Sequence, residues 1–328
     1  MQYKAYVVEE LDKQFISSIK ILDTDNLPKG DLLVKVHYSS LNYKDALSAT
    51  GNKGVTKHYP HTPGIDSAGV VIHSDSPLFD VDDEVIVTGY DLGMNTPGGF
   101  GEYISVPAEW AVKLPQNITL KESMIIGTAG FTAGISMLRL TELVKPSDGE
   151  IIVSGATGGV GSMALSMLSK KGYKTIAVSG KEQEYDFLKS CGADKIIARK
   201  DFLSSDDKAL FPGIYAGAID TVGGDILSRI IKSLKSMGAV TTCGSVASTN
   251  LSLNVFPFIL RAVTLIGISA QNYPTELRAD LWSRLSTDLK PDNLMSLYTE
   301  ITMYDLPRTI NLILEGKIKG RTLVKIAD

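Results

Sequence analysis

The apolar and polar positions of this chain fall into two rhythms. Up to about residue 122, short apolar runs are cut by Gly and Pro and predict strands at 32–38, 69–73, 84–87 and 100–106, the last opened by Gly98-Gly99. That punctuation belongs to an irregular, mostly β domain. From Met124 the rhythm changes. The triplet Ile151-Ile152-Val153 is followed by a helical pattern over 160–170, a strand at 175–178, a helix over 181–190, and strands at 194–197, 217–220 and 239–243. Apolar strands alternating with helices predict an α/β domain, a doubly wound parallel sheet covered on both faces. After Arg261 the segments are mixed again, with a strand at 263–269, an amphipathic helix over 275–290 and a closing strand at 322–326. The economical architecture inserts the α/β domain, 124–261, into a mostly β domain begun by 1–123 and completed by 262–328.

Composition narrows the classes. The length of 328 residues suits two domains, and 44% hydrophobic with 21% charged residues is a globular balance. A net charge of -4, from 33 basic and 37 acidic residues, shows no polybasic surface for nucleic acid or a membrane. No run of about 18 uninterrupted apolar residues occurs, so no membrane span is expected. The segment Met1 to Glu10 has no basic region followed by an apolar core, and the expected location is the cytoplasm. The two cysteines, Cys191 and Cys243, form neither a disulfide framework nor a CxxC pair and read as reduced thiols.

The sharpest signal is Ile151-Ile152-Val153-Ser154-Gly155-Ala156-Thr157-Gly158-Gly159-Val160-Gly161. Ala156, Gly158 and Gly161 occupy the positions of a dinucleotide fingerprint, Ala156 replacing its first glycine. Gly158 would let the backbone approach a pyrophosphate, and Gly161 would let the helix pack on the strand. The helix N-terminus would then turn free N–H groups toward phosphate. The placement after an apolar strand and before a helix is the context the motif requires, against the alternative of a plain tight turn. An NAD site places an acid at the end of the next strand. Here that end reads Val178-Ser179-Gly180-Lys181, and Glu182 and Glu184 come later, on the expected helix. Ser179 can donate a hydrogen bond, Gly180 leaves room, and Lys181 and Arg199 supply charge for a 2′-phosphate. Lys181 and Arg199 could each also be a solvated surface cation. Together with the missing acid they point to NADPH.

The four histidines, His37, His58, His61 and His73, lie in the first stretch, and no HExxH or related spacing occurs. No metal is expected.

Several further segments carry a family likeness: Leu41-Asn42-Tyr43-Lys44-Asp45, Pro63-Gly64-Ile65-Asp66, Gly98 to Tyr103, Gly127 to Ala133, the glycine-rich turn, Val178 to Lys181, and Gly320 to Val324. Over essentially its whole length the chain resembles the zinc-free branch of the medium-chain dehydrogenase/reductase superfamily, in its acrylyl-CoA reductase and quinone-oxidoreductase-like group. Zinc-containing relatives have His and Glu where Ile65 and Asp66 stand. The resemblance implies a Rossmann-type domain inserted in a GroES-like catalytic domain, an active site in the cleft between them, and a homodimer formed through the nucleotide domain. It also implies cofactor contacts at Tyr43, Thr157 to Val160, Ser179 to Lys181 and Arg199, with Ser245 and Ile259 lining the nicotinamide side. The family often has Arg in place of Lys181 and a bulkier apolar residue in place of Ser245.

The expected chemistry is hydride delivery from NADPH to the β-carbon of a double bond conjugated to a carbonyl, and acrylyl-CoA is the leading substrate. A quinone or an α,β-unsaturated aldehyde or ketone is the alternative, and an NADPH-binding sensor is a reading of another class. Tyr43 is the leading polar group at the reacting centre, and Asn42 could orient a carbonyl. A buried structural Tyr and a turn-forming Asn are the plain alternatives. Thr128 and Thr132 could approach the nicotinamide, or cap and back-bond a helix. Asp45 reads as an ion-pair partner for Lys44 or Arg321. The phosphates of CoA would need cations, and Arg261, Arg278, Arg284, Lys317, Lys319 and Arg321 are available without forming a motif.

Overall fold

The computed structural model describes residues 1–204 and 208–327. It divides into two compact units: Met1–Thr128 with Ala270–Thr287 and the segment from Tyr298 on, and Ala129–Ser269 with Asp288–Leu297.

The first unit opens with an antiparallel hairpin, β1 (Gln2–Leu11) and β2 (Gln14–Asp23). There follow β3 (Leu32–Leu41), helix α1 (Tyr43–Ala49), β4 (Asp66–Ser74), β5 (Glu84–Thr88), β6 (Tyr103–Val106) and β7 (Ala111–Lys113). Period-2 alternation buries Leu32, Val34 and Val36 of β3 in a core shared with Val71, Val85, Val87, Phe100 and Ile104. Helix α2 (Leu120–Thr141) is two helices joined at Gly127, whose φ of 50° and ψ of -164° break the helical path. Sequence patterning does not foretell α2. By length and composition it is long and apolar enough to cross a bilayer, and 78% of its apolar window is buried inside the protein.

The second unit is built on a parallel sheet of β8 (Ile151–Ser154), β9 (Thr175–Ser179), β10 (Lys195–Ala198), β11 (Tyr215–Asp220), β12 (Leu234–Thr242) and β13 (Thr264–Gly267). Helices α3 (Gly159–Lys170), α4 (Tyr185–Ser190), α5 (Arg199–Phe202), α6 (Gly224–Lys232) and α7 (Phe256–Arg261) connect the strands. The strand order β10-β9-β8-β11-β12-β13 reverses direction between β8 and β11. Doubly wound sheets bind ligands at the carboxyl ends of the strands beside such a reversal. All four residues of β8 are buried, as a strand covered on both faces requires. β13 forms one edge of this sheet, so the unit continues past Arg261.

The chain then passes through α8 (Thr275–Leu285), β14 (Tyr298–Thr302), α9 (Leu306–Leu314) and β15 (Arg321–Lys325). β15 pairs antiparallel with β3, from Thr322 opposite Leu41 to Lys325 opposite Tyr38, so the carboxyl-terminal strand lies beside the strand that leads into α1.

Candidate active site

The glycine-rich turn leaves β8 at the reversal and enters α3 through Gly158, whose extended backbone makes it the N-cap. As a glycine, the N-cap Gly158 has no side chain with which to bond the first N–H groups of α3. A Cβ on Gly161 would lie 2.5 Å from the Gly155 carbonyl oxygen and 2.7 Å from the Ala156 Cα. Those are backbone atoms, so only glycine allows α3 to sit this close to the turn. Ala156 and Thr157 are buried within it, while Gly158, Gly159 and Val160 are half-buried.

Across the reversal, the Ser154 hydroxyl donates to Asp220 at 2.6 Å and accepts the Thr221 N–H at 3.0 Å. Asp220 also accepts from Gly223 N–H at 2.9 Å and from the Thr242 hydroxyl at 3.1 Å. Burial pushes its carboxyl above the usual range, opposed by these donors. This brace between β8 and β11 was not anticipated from sequence. A serine before the turn and an acid ending an apolar strand were the available signals. Ser245 lies beside this loop, its Cα 3.3 Å from where a Cβ on Gly223 would stand. Ile259 stands on α7 and is 67% exposed.

The end of β9 gathers the second set of predicted residues. The pairing of Ala198 with Ser179 places Arg199 next to Gly180. The Ser179 hydroxyl accepts the Lys181 N–H at 3.0 Å. Lys181 is half-buried; burial pulls its ammonium below the usual lysine range, opposed by Glu184. Glu182 pairs with Lys200 at 2.9 Å.

In the first unit, Tyr43 is the first residue of α1 and is 38% exposed. The residues around it form a buried polar cluster centred on Asp66. Asn42 donates through Nδ2 to Asp66 at 2.7 Å and accepts at Oδ1 from Arg321 at 3.2 Å. Arg321 also donates to the Ser40 hydroxyl at 2.8 Å and through Nε to the Ile125 carbonyl at 3.0 Å. The Thr128 N–H donates to Asp66 at 2.9 Å, and its hydroxyl donates to the other carboxylate oxygen. Asp66 thus caps the helix that restarts after Gly127. Thr132 is buried, and its carbonyl accepts the Ser136 hydroxyl at 2.8 Å. The sequence offers Asp66 only as a family marker and Arg321 as a partner for Asp45 or a CoA phosphate, and neither reading reaches the cluster the two make.

Two sequence expectations are corrected here. Asp45 is not placed against Lys44 or Arg321 as an ion-pair partner. It accepts the backbone N–H groups of Asn42 at 2.8 Å, Ile65 at 2.8 Å and Gly64 at 3.2 Å, and Lys44 donates instead to Gln271 at 2.6 Å. Complete burial pushes the Asp45 carboxyl up to about 7, opposed first by the Asn42 N–H and reinforced by nearby Asp66. Three of the six cations offered to CoA phosphates serve internal acceptors. Arg261 donates to the carbonyls of Phe211, Lys232 and Leu234, Arg278 to those of Thr88, Ala270 and Gln271, and Arg321 to the Asp66 cluster. Among the described residues, no group of three or more His, Cys, Asp or Glu side chains converges.

A family model described as an alcohol dehydrogenase GroES-like domain matches residues 28–116, and one described as a zinc-binding dehydrogenase matches 159–287. The putative quinone oxidoreductase YhfP of Bacillus subtilis is 43% identical over 94% of both chains. The probable acrylyl-CoA reductase AcuI of Escherichia coli is 42% identical over 98% of this chain and 99% of its own. Among solved structures, the yhdH oxidoreductase from Salmonella enterica in complex with NADP superposes with a TM-score of 0.96 at 42% identity, covering 99% of this chain and 100% of that one. The Bacillus subtilis yhfP protein with NAD bound gives a TM-score of 0.96 at 41% identity, covering 99% of each.

Proposed function

The chain belongs to the zinc-free branch of the medium-chain dehydrogenases/reductases that holds the acrylyl-CoA reductases and quinone-oxidoreductase-like enzymes, and from that premise we propose that it reduces acrylyl-CoA to propanoyl-CoA with NADPH. The observation that carries the cofactor choice is the end of β9, where Ser179, Gly180, Lys181 and Arg199 meet at a strand end without a carboxylate. The relative of Escherichia coli, 42% identical and named a probable acrylyl-CoA reductase, supports the substrate. The relative named a putative quinone oxidoreductase, 43% identical, favours a second reading with a quinone or unsaturated carbonyl as acceptor.

The residues present suit the dinucleotide. The close approach of α3 to the turn that Gly161 allows and the glycine N-cap at Gly158 suit a pyrophosphate held by Ala156 to Gly161. Ser179, Gly180, Lys181 and Arg199 would hold the 2′-phosphate, and Tyr43, Thr128, Thr132, Ser245 and Ile259 would border the nicotinamide. NADPH, when bound, supplies the hydride. The protein's part is to position the acceptor and to stabilise the charge that grows on its carbonyl oxygen. The phenol of Tyr43, an O–H donor, is the proposed donor to that oxygen. Both ends of the Asn42 amide are engaged inside the protein, so Asn42 acts by holding the start of α1 beneath Tyr43.

The proposed assembly is a homodimer through the second unit. Its support is the edge strand β13 and the exposed apolar residues Val255, Phe256, Ile259 and Leu260 that precede it. The proposed location is the cytoplasm, where a reducing environment suits two free thiols that burial pushes up to about 12.

Steady-state NADPH oxidation with acrylyl-CoA, a simple quinone and an α,β-unsaturated aldehyde tests the reading. The expected result is the highest kcat/KM for acrylyl-CoA. A value no better than that of the quinone favours the second reading, and tight NADPH binding without turnover on any acceptor favours a sensor.

A further inference from the structure

We infer that Gly180 is a positioning residue for cofactor choice, because its missing side chain is the seat of the Arg199 guanidinium; this rests on the NADPH reading above. A Cβ built on Gly180 would lie 2.7 Å from Arg199 Nη2 and 3.0 Å from both its Cζ and Nε. Its three nearest neighbours are thus all atoms of one guanidinium, which lies across the Gly180 backbone. The φ of Gly180 is outside the left-handed region, so the backbone does not demand glycine there. Only the space does.

The rest of the strand end holds Arg199 in place. The parallel register sets Ala198 beside Ser179, and α5 begins at Arg199 itself, fixing the direction in which its side chain leaves the sheet. Among the described residues no carboxylate pairs with Arg199, whereas its neighbour Lys200 is engaged by Glu182 at 2.9 Å. A guanidinium is planar and weakly hydrated, and laid against a bare backbone it keeps its donor edges for a phosphate. Lys181 adds charge but no fork, so the bidentate part of 2′-phosphate recognition falls to Arg199 and, through it, to Gly180.

The same geometry makes the test clean. The atoms an alanine would strike are the far end of a flexible side chain, so Gly180→Ala displaces Arg199 and leaves the strand intact. Binding of NADPH and of NADH is measured by fluorescence titration for the wild type, Gly180→Ala, Arg199→Ala and the double variant. Each single variant is expected to lose about tenfold in NADPH affinity, the worth of a charge-assisted contact. NADH affinity should stay within about twofold, and the double variant should lose no more than Arg199→Ala alone. A wild-type preference for NADPH that Gly180→Ala leaves undiminished overturns this inference alone, as do multiplying losses in the double variant or equal losses for both cofactors. A wild type with no preference overturns the cofactor reading, and this inference with it.

Discussion

The Arg321 guanidinium and the Asp66 carboxylate face each other at 3.8 Å, Arg321 3% and Asp66 0% exposed, and each holds one end of the Asn42 amide. A charge buried this completely is tolerable only while its partner remains. Asp66→Asn keeps the shape and removes the charge, leaving Arg321 uncompensated. The expected cost is about 3–5 kcal/mol of unfolding free energy, read from denaturant titration. Gly127→Ala should act on the same pair, since its Cβ would lie 2.6 Å from Arg321 Nη2 and 2.7 Å from Asp66 Oδ2 at a φ of +50°. A cost below about 1 kcal/mol for Asp66→Asn would show the pair to be energetically neutral.

That cluster also marks the limit of reading the chain by pattern. The glycine-rich turn and the end of β9 were visible because their residues are neighbours in sequence and the motif fixes their spacing. The Asp66 cluster unites residues 24, 62 and 279 positions apart, a spacing no motif encodes. Asp45 misled for a related reason. Its charge suggests a cation, but the demand comes from three backbone N–H groups that local pattern does not reveal. Helix α2 escaped because small residues and Gly127 interrupt its apolar period.

Tyr43 tests the proposed chemistry. Its ring can be kept and its donor removed by Tyr43→Phe. If the phenol stabilises charge on the acceptor's carbonyl oxygen, kcat should fall by about 10²-fold or more, with NADPH affinity nearly unchanged. Unchanged turnover would leave Tyr43 a packing residue at the start of α1.

Asp45 gives stability a pH dependence whose sign can be worked out. Its carboxyl ordinarily titrates at 3.8, and burial raises it to about 7 in the folded chain. Between those values the folded state holds a proton that the unfolded state has lost. Stability from this group therefore falls as pH rises from about 4 to about 7, by at most about 1.4 kcal/mol per pH unit, and levels off above. The difference between wild type and Asp45→Asn in denaturant midpoints across that range should show the slope. Parallel curves would mean that the three backbone donors keep Asp45 ionised throughout.

The proposed dimer predicts that charge on α7 separates the protomers. Phe256 and Leu260 are 43% and 62% exposed, so replacing both by Glu should leave the fold of the second unit unstrained. Light scattering should then report a monomer at concentrations where the wild type is a dimer. A wild type that is already monomeric, or a variant that stays dimeric, would remove this face from the assembly.

Lys181 separates charge from geometry at the 2′-phosphate. Its half-buried ammonium costs solvation in the free protein, and a phosphate would return that cost as attraction. Lys181→Ala should weaken NADPH by about tenfold while leaving NADH near its wild-type affinity. Lys181→Arg should tighten NADPH, because a planar fork can add a bidentate contact to the charge. If alanine weakens both cofactors equally, Lys181 supports the shape of the β9 end and the 2′-phosphate is met by Arg199 without it.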